Sequence, residues 1–223
     1  MTHTIRRCLL GAALFCALGS LGHAQNPPRA LPPGAQNNPA QPTPAATPRN
    51  VQGFIPLTDQ MLRAPKPEDW LMLRGNYQGY SSLEQINKAN VKNLQLVWAR
   101  VMEPGINEST PLVYNGVMYL GNSNDVVQAI DATNGDLIWE YRRQLPEAST
   151  FHAMHGQRKR SIALYGDRVY LATWDNFVVA LDARTGQVAW QTDRGGDYYV
   201  SNSTGPIVVN GIVIAIRLSF GVI

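Results

Sequence analysis

Four side chains able to form charge-assisted or hydroxyl hydrogen bonds stand close before similar apolar runs in the 223-residue sequence. Glu108 lies in Asn107-Glu108-Ser109-Thr110-Pro111 and Arg160 in Lys159-Arg160-Ser161-Ile162-Ala163. Ser203 and Thr204 stand directly before Gly205-Pro206. Each group sits just upstream of the first strand of a repeated unit, so all would face one central channel. Each also has a plain reading: Glu108 as a solvated loop carboxylate, Arg158-Lys159-Arg160 as a solvated basic turn, Ser203 and Thr204 as turn formers. His152 and His155 could share a helical face and bind a metal, but no third ligand is near, and they read as exposed loop. The Asn-x-Ser/Thr patterns at Asn107 and Asn202 are treated as chance. No Ser-His-Asp set, phosphate loop or Cys/His zinc pattern offers a competing chemistry.

A repeat must position these residues. Gln128-Ala129-Ile130-Asp131-Ala132-Thr133-Asn134-Gly135-Asp136-Leu137-Ile138-Trp139 returns as Val179-Ala180-Leu181-Asp182-Ala183-Arg184-Thr185-Gly186-Gln187-Val188-Ala189-Trp190. Ala, Asp, Gly and Trp recur at a constant offset of 51 residues, as do Tyr114/Tyr165, Tyr119/Tyr170 and Leu120/Leu171. A third copy starts at Pro206-Ile207-Val208-Val209-Asn210-Gly211, echoing Pro111 to Gly116. A period of roughly 40–50 residues with several short strands per unit signals β-propeller blades. Asn115-Gly116, Asn134-Gly135 and Asn210-Gly211 suit hairpins whose two central residues take positive φ. Asp131 can accept backbone N–H bonds in its turn, and the Trp can wedge between stacked blades. The full units are expected over 109–142 and 160–194. The third does not finish: Ala215 matches Leu120, which precedes Trp139 by 19 residues, yet only 8 remain. Since a propeller needs about four to eight blades, the sequence reads as an N-terminal fragment.

The start reads as an address. Arg6 and Arg7 precede an apolar run from Leu9 to Leu21, and Gly22-His23-Ala24 offers a small-x-small cleavage site. Residues 1–24 are therefore expected to be a signal peptide, too short in its apolar part to span a bilayer. Cys8 and Cys16, the two cysteines, both lie there, leaving no disulfide framework. Losing Arg6 and Arg7 takes the net charge from +3 to +1, with no basic stripe for nucleic acid. Residues 25–57, rich in Pro, Ala, Gln and Asn, read as a disordered spacer that cannot offset its ordering entropy.

Residues 58–223 are expected to carry the folded part. Thr58-Asp59-Gln60-Met61-Leu62 suits one capped helical turn. Asn87 to Leu94 reads as loop with a short helical turn. Leu94 to Val101 alternates like a strand, and its Trp98 resembles the blade-closing Trp139 and Trp190. In a closed ring this strand would complete the last blade.

The segments Asp69-Trp70, Arg74-Gly75-Asn76, Ser82-Leu83-Glu84-Gln85-Ile86-Asn87, Asn90-Val91-Lys92-Asn93-Leu94 and Val97-Trp98 resemble the opening of quinoprotein alcohol dehydrogenases. These are eight-bladed propellers that bind pyrroloquinoline quinone (PQQ). The resemblance runs from about 66 to 215 and includes the two Ala-x-Asp-Ala-x-x-Gly-x-x-x-Trp docking segments. It implies PQQ and calcium as cofactors, an alcohol substrate oxidised to an aldehyde or ketone, a cytochrome c as electron acceptor, and the periplasm as location. By the same resemblance Glu108 contacts the quinone, Arg160 binds the quinone side, and Ser203 and Thr204 hold a cofactor carboxylate. Two departures stand out: 147–156 lacks the adjacent cysteines of many members, and from Ile216 onward the pattern of the calcium-ligand Glu is lost. The catalytic Asp and Asn ligand would follow further on, so the fragment is expected to be inactive. A non-catalytic propeller scaffold of the outer-membrane assembly type, built on the same docking repeat, is the alternative.

Overall fold

Short runs of β-branched and aromatic residues, closed by Asn-Gly or Asp-x-x-x-Gly turns, fold as antiparallel meanders. The structure, a computed structural model, describes residues 49–144, 159–195 and 204–216. The first unit is a four-stranded sheet in chain order: β1 (Leu112–Tyr114), β2 (Val117–Asn122), β3 (Val126–Asp131) and β4 (Leu137–Arg142). The second repeats it with β5 (Ala163–Tyr165), β6 (Arg168–Ala172), β7 (Phe177–Asp182) and β8 (Val188–Asp193). A third opens as the hairpin β9 (Ile207–Val209) and β10 (Ile212–Ile214). The registers obey the sequence period: Tyr119 faces Ala129, and Tyr170 faces Ala180. Each sheet slips once, between Ala129 and Ile130 and between Ala180 and Leu181. The expected all-β blades of a partial propeller are what the chain forms.

The turns follow two chemistries. Asn115-Gly116 (φ 48° and 75°) and Asn210-Gly211 (φ 49° and 75°) are both left-handed at the two central positions, as tight hairpins require. Asn134-Gly135 departs from that expectation, because only Gly135 is left-handed, at φ 78°. Here Asp131 builds the turn instead. Its carboxylate accepts from the Thr133 N–H at 2.9 Å and the Thr133 hydroxyl at 2.6 Å, and its carbonyl accepts from the Gly135 N–H at 2.9 Å. Asp182 repeats this with the Arg184 and Gly186 N–H groups.

The glycine turn is also the seat of the tryptophan. Trp139 is 2 % exposed; its indole N–H donates to Ala183 O at 3.0 Å, and its ring covers Gly186 so closely that a Cβ there would lie 2.5 Å from it. Tyr119 donates to the same carbonyl at 3.2 Å, and its burial pushes the phenol pKa upward. Trp98 does the same one blade earlier, donating to Ala132 O at 3.1 Å and covering Gly135. Trp190 breaks the expectation of burial: it is 42 % exposed. The third unit, as described, is a hairpin with no Asp-Gly turn for that ring to cover. At the rim, Arg143 pairs with Asp175 at 2.7 Å and lies over the Phe177 ring, clamping the first blade to the second.

The upstream segment corrects two further expectations. Leu94 to Val101 is extended but pairs with no strand among the described residues, and Leu96, Val97 and Val101 are more than 80 % exposed. Alternation alone supplies a strand's faces, not its ladder partner. Packing also starts inside the stretch 25–57 expected to be spacer. The Arg49 and Val51 N–H groups donate to Ile138 O and Arg184 O, and Val51 and Leu57 are buried. The helical turn is present as α1 (Asp59–Arg63), capped by Thr58 Oγ1 accepting from the Met61 N–H, and a 3-10 turn occupies Val91–Asn93. Among the described residues no helix is long and apolar enough to cross a membrane. The signal-peptide reading, the first part of the spacer, His152, His155, Asn202 and Ser203 lie outside the described residues.

Candidate functional site

Two strand approaches run side by side at the inner edge of the blades. Asn107 and Lys159 form a parallel bridge, and Lys159 O accepts from the Glu108 N–H at 3.1 Å and from the Ser109 hydroxyl at 3.1 Å. That register sets Glu108 beside Arg160. Arg160 Nε donates to Glu108 Oε2 at 2.8 Å, and the two side chains are 50 % and 40 % exposed. Both terminal nitrogens of Arg160 are without a hydrogen-bond partner among the described residues. Thr204 heads the third unit and is half-buried. Its neighbour Gly205 packs on Ser161 so tightly that a Cβ would collide with the Ser161 carbonyl. Positions 108, 160 and 204 therefore lead three successive inner strands, with 108 in contact with 160 and the third approach laid against the residue after Arg160.

The other end of the inner strands is closed. Trp70 forms a two-bond antiparallel bridge to Val113, Leu57 does the same with Gly166, Asp69 accepts from the Asn115 N–H, and the Tyr165 hydroxyl donates to Asp59. The segment 55–73 thus pairs along β1 and packs beside β5, while Glu108 and Arg160 remain half-exposed. In unlike surroundings the paired carboxylate and guanidinium would be a surface ion pair of little worth. Here Glu108 and Arg160 pair where two inner strands begin, and Thr204 stands where the third begins.

The sequence matches the family model "PQQ: Glucose/ethanol/alcohol dehydrogenase, beta-propeller domain" over residues 70–214. The chain belongs to the PQQ-dependent alcohol dehydrogenase family. The quinohemoprotein alcohol dehydrogenase of Comamonas testosteroni is 37 % identical over 186 residues, 81 % of this chain and 25 % of that protein. Its crystal structure superposes with a TM-score of 0.65 over 72 % of this chain and 25 % of that one, at 33 % identity. A europium-containing methanol dehydrogenase gives 0.64, at 27 % identity, over 71 % of this chain and 29 % of that one. The chain thus spans about a quarter of the length of the relatives it matches.

The residues present fit the family's cofactor. PQQ carries three carboxylates and two carbonyl oxygens, and Arg160 offers two terminal nitrogens unengaged among the described residues, beside a half-exposed carboxylate. Thr204 adds a hydroxyl at the third approach.

Two residues at this site escape a sequence reading. Lys159 is not part of a solvated basic turn: its side chain is fully buried, donating to Ala172 O at 2.6 Å and pairing with Asp125 at 2.5 Å. Asp125, equally buried, also accepts from the Trp174 N–H at 2.7 Å. The one available signal was the repeat itself, since Asp125 occupies the place of Asn176 in the second unit.

Proposed function

We propose that this chain forms the N-terminal blades of a periplasmic PQQ-dependent alcohol dehydrogenase, whose remaining blades supply the metal ligands and base. The observation that carries the reading is the 2.8 Å Glu108–Arg160 pair at the open ends of adjacent inner strands. Bound PQQ would supply a quinone that takes two electrons and two protons from an alcohol, leaving an aldehyde or ketone. Arg160 would hold the quinone side through its terminal nitrogens, Glu108 would fix the Arg160 plane and contact the quinone, and Ser203 and Thr204 would hold a carboxylate. Calcium is the proposed Lewis acid, and a cytochrome c the proposed acceptor, as the quinohemoprotein name of the Comamonas relative suggests. The europium of the methanol dehydrogenase makes a lanthanide the informative control.

Alone, the 223-residue chain is expected not to turn over alcohol, since its described residues form two blades and a hairpin, fewer than the about four needed to close a ring. The test is dye-linked ethanol oxidation with PQQ and either Ca²⁺ or Eu³⁺. The full-length protein should be active with Ca²⁺ and the 223-residue chain silent. Activity of the short chain would overturn the reading of its incompleteness. A full-length protein that neither binds PQQ nor oxidises alcohols would return the chain to the scaffold alternative. Cell fractionation of a tagged chain should place it in the periplasm.

A further inference from the structure

The buried Lys159–Asp125 pair is next in sequence to Arg160, and Lys159 O accepts from the Glu108 N–H. We infer that the pair is a positioning device, which sets the spacing of Glu108 and Arg160 by locking the approaches of two blades to each other; its bearing on PQQ rests on the function proposed above.

The connections are few and each is specific. Residue 159 precedes Arg160 and holds Glu108 through its carbonyl, so any shift of its backbone moves both members of the exposed pair. Its side chain is anchored at two points: Ala172 O at the end of β6 and Asp125 in the β2–β3 connection. Asp125 in turn holds the β6–β7 connection through the Trp174 N–H. Asp125 is held in a left-handed conformation (φ 53°) to reach that position. One ion pair therefore ties the strand approach before β5 to turns in both blades. A charged pair at zero exposure is a costly way to stabilise a core, because desolvation offsets most of the attraction. Replacing both partners by uncharged residues of similar size is often nearly neutral for stability, whereas removing one leaves a buried charge. A positioning role and a purely structural one can therefore be separated by neutralising both at once.

The experiment uses the 223-residue chain and the double variant Lys159→Met/Asp125→Asn, with Lys159→Gln/Asp125→Asn as a second version that keeps a donor toward Ala172. Nitrogen-detected NMR of the Arg160 side chain reports its bond to Glu108 without any quinone. In either folded variant the protected Arg160 Nε–H signal should be lost, while the Tyr119 and Trp139 bonds to Ala183 persist and the melting temperature stays close to the parent. In the full-length protein PQQ affinity should fall roughly tenfold or more, the scale seen when outer-shell supports are removed. An unchanged Arg160 signal would overturn the inference, as would unchanged PQQ affinity in a variant of a parent that binds it. If both variants unfold, the pair holds the fold and not the site, which also overturns it. If the parent fails to bind PQQ but Arg160 responds, the positioning role stands and the proposed function falls.

Discussion

The two full blades present the same aromatic pair in almost the same geometry. Tyr119 and Trp139 have ring centroids 6.0 Å apart at 51°, and Tyr170 and Trp190 stand 5.9 Å apart at 52°. Yet Trp139 is 2 % exposed and Trp190 42 %. The repeat builds the ring into its own blade; burial comes from the next blade's glycine turn. Trp139 has that turn at Ala183 to Gly186, and Trp98 has it at Ala132 to Gly135. The motif is thus half of an interface, and a tryptophan's energetic weight depends on its neighbour.

The sharpest way to break this comparison is to truncate both rings. Trp139→Ala should cost ~3–5 kcal/mol, the range for a fully buried large aromatic. Trp190→Ala should cost under about 1 kcal/mol in the 223-residue chain, as for a partly exposed side chain. Denaturant unfolding of the two variants measures the difference. In a longer protein carrying the next blade, the cost at 190 should rise toward that at 139. Equal costs in the short chain would show that packing within one blade, not docking, sets the stability.

The seats should differ in the same sense. Gly186→Ala forces a Cβ against the Trp139 ring at 2.5 Å in a left-handed backbone (φ 72°), so it should cost about 2–4 kcal/mol. Gly116→Ala shares the left-handed backbone (φ 75°) but meets nothing within 4 Å, so only about 1–2 kcal/mol of strain should appear.

Smaller effects belong to the turn aspartates. Asp131→Ala should cost about 1 kcal/mol as the loss of a turn-capping acceptor. The Thr133 hydroxyl and N–H hold the Asp131 carboxyl below its ordinary pKa, and the Arg184 side chain does the same for Asp182. Arg142 likewise lowers Glu103. A carboxyl with a depressed folded pKa contributes stability above its unfolded value, near about 4. That contribution disappears as pH falls through the folded value. Melting temperature should therefore drop on acidification below about pH 4, and Asp182→Asn should flatten the drop.

Much of this was legible in the chain, and the gaps have physical causes. The offset of 51 residues located both sheets and the Asp-Gly turns, because each is a local arrangement repeated whole. The family resemblance, not the offset, pointed to Glu108 and Arg160, which the structure brings into contact. Exposure of Trp190 was not legible, since burial depends on a neighbour that the motif does not contain. Leu94 to Val101 shows a strand's alternation but not its partner. Lys159 sits in a basic run whose local chemistry says solvent; its partner Asp125 is 34 residues away in sequence, and only the parallel approach of two blades brings them together. Asn134 looked like a hairpin residue, but the Asp131 carboxylate had already set the turn.

We propose that Glu108 and Arg160 hold a quinone at the inner edge of these blades, while Trp139 holds the blade interface. The direct test is the PQQ dissociation constant and the melting temperature, measured on the same full-length preparations of Glu108→Ala and Trp139→Ala. Glu108→Ala should keep the parent's melting temperature and bind PQQ at least about tenfold more weakly, as expected for loss of a charge-assisted contact, whereas Trp139→Ala should melt well below the parent. A Glu108→Ala protein that binds PQQ as tightly as the parent would contradict the assignment of that site.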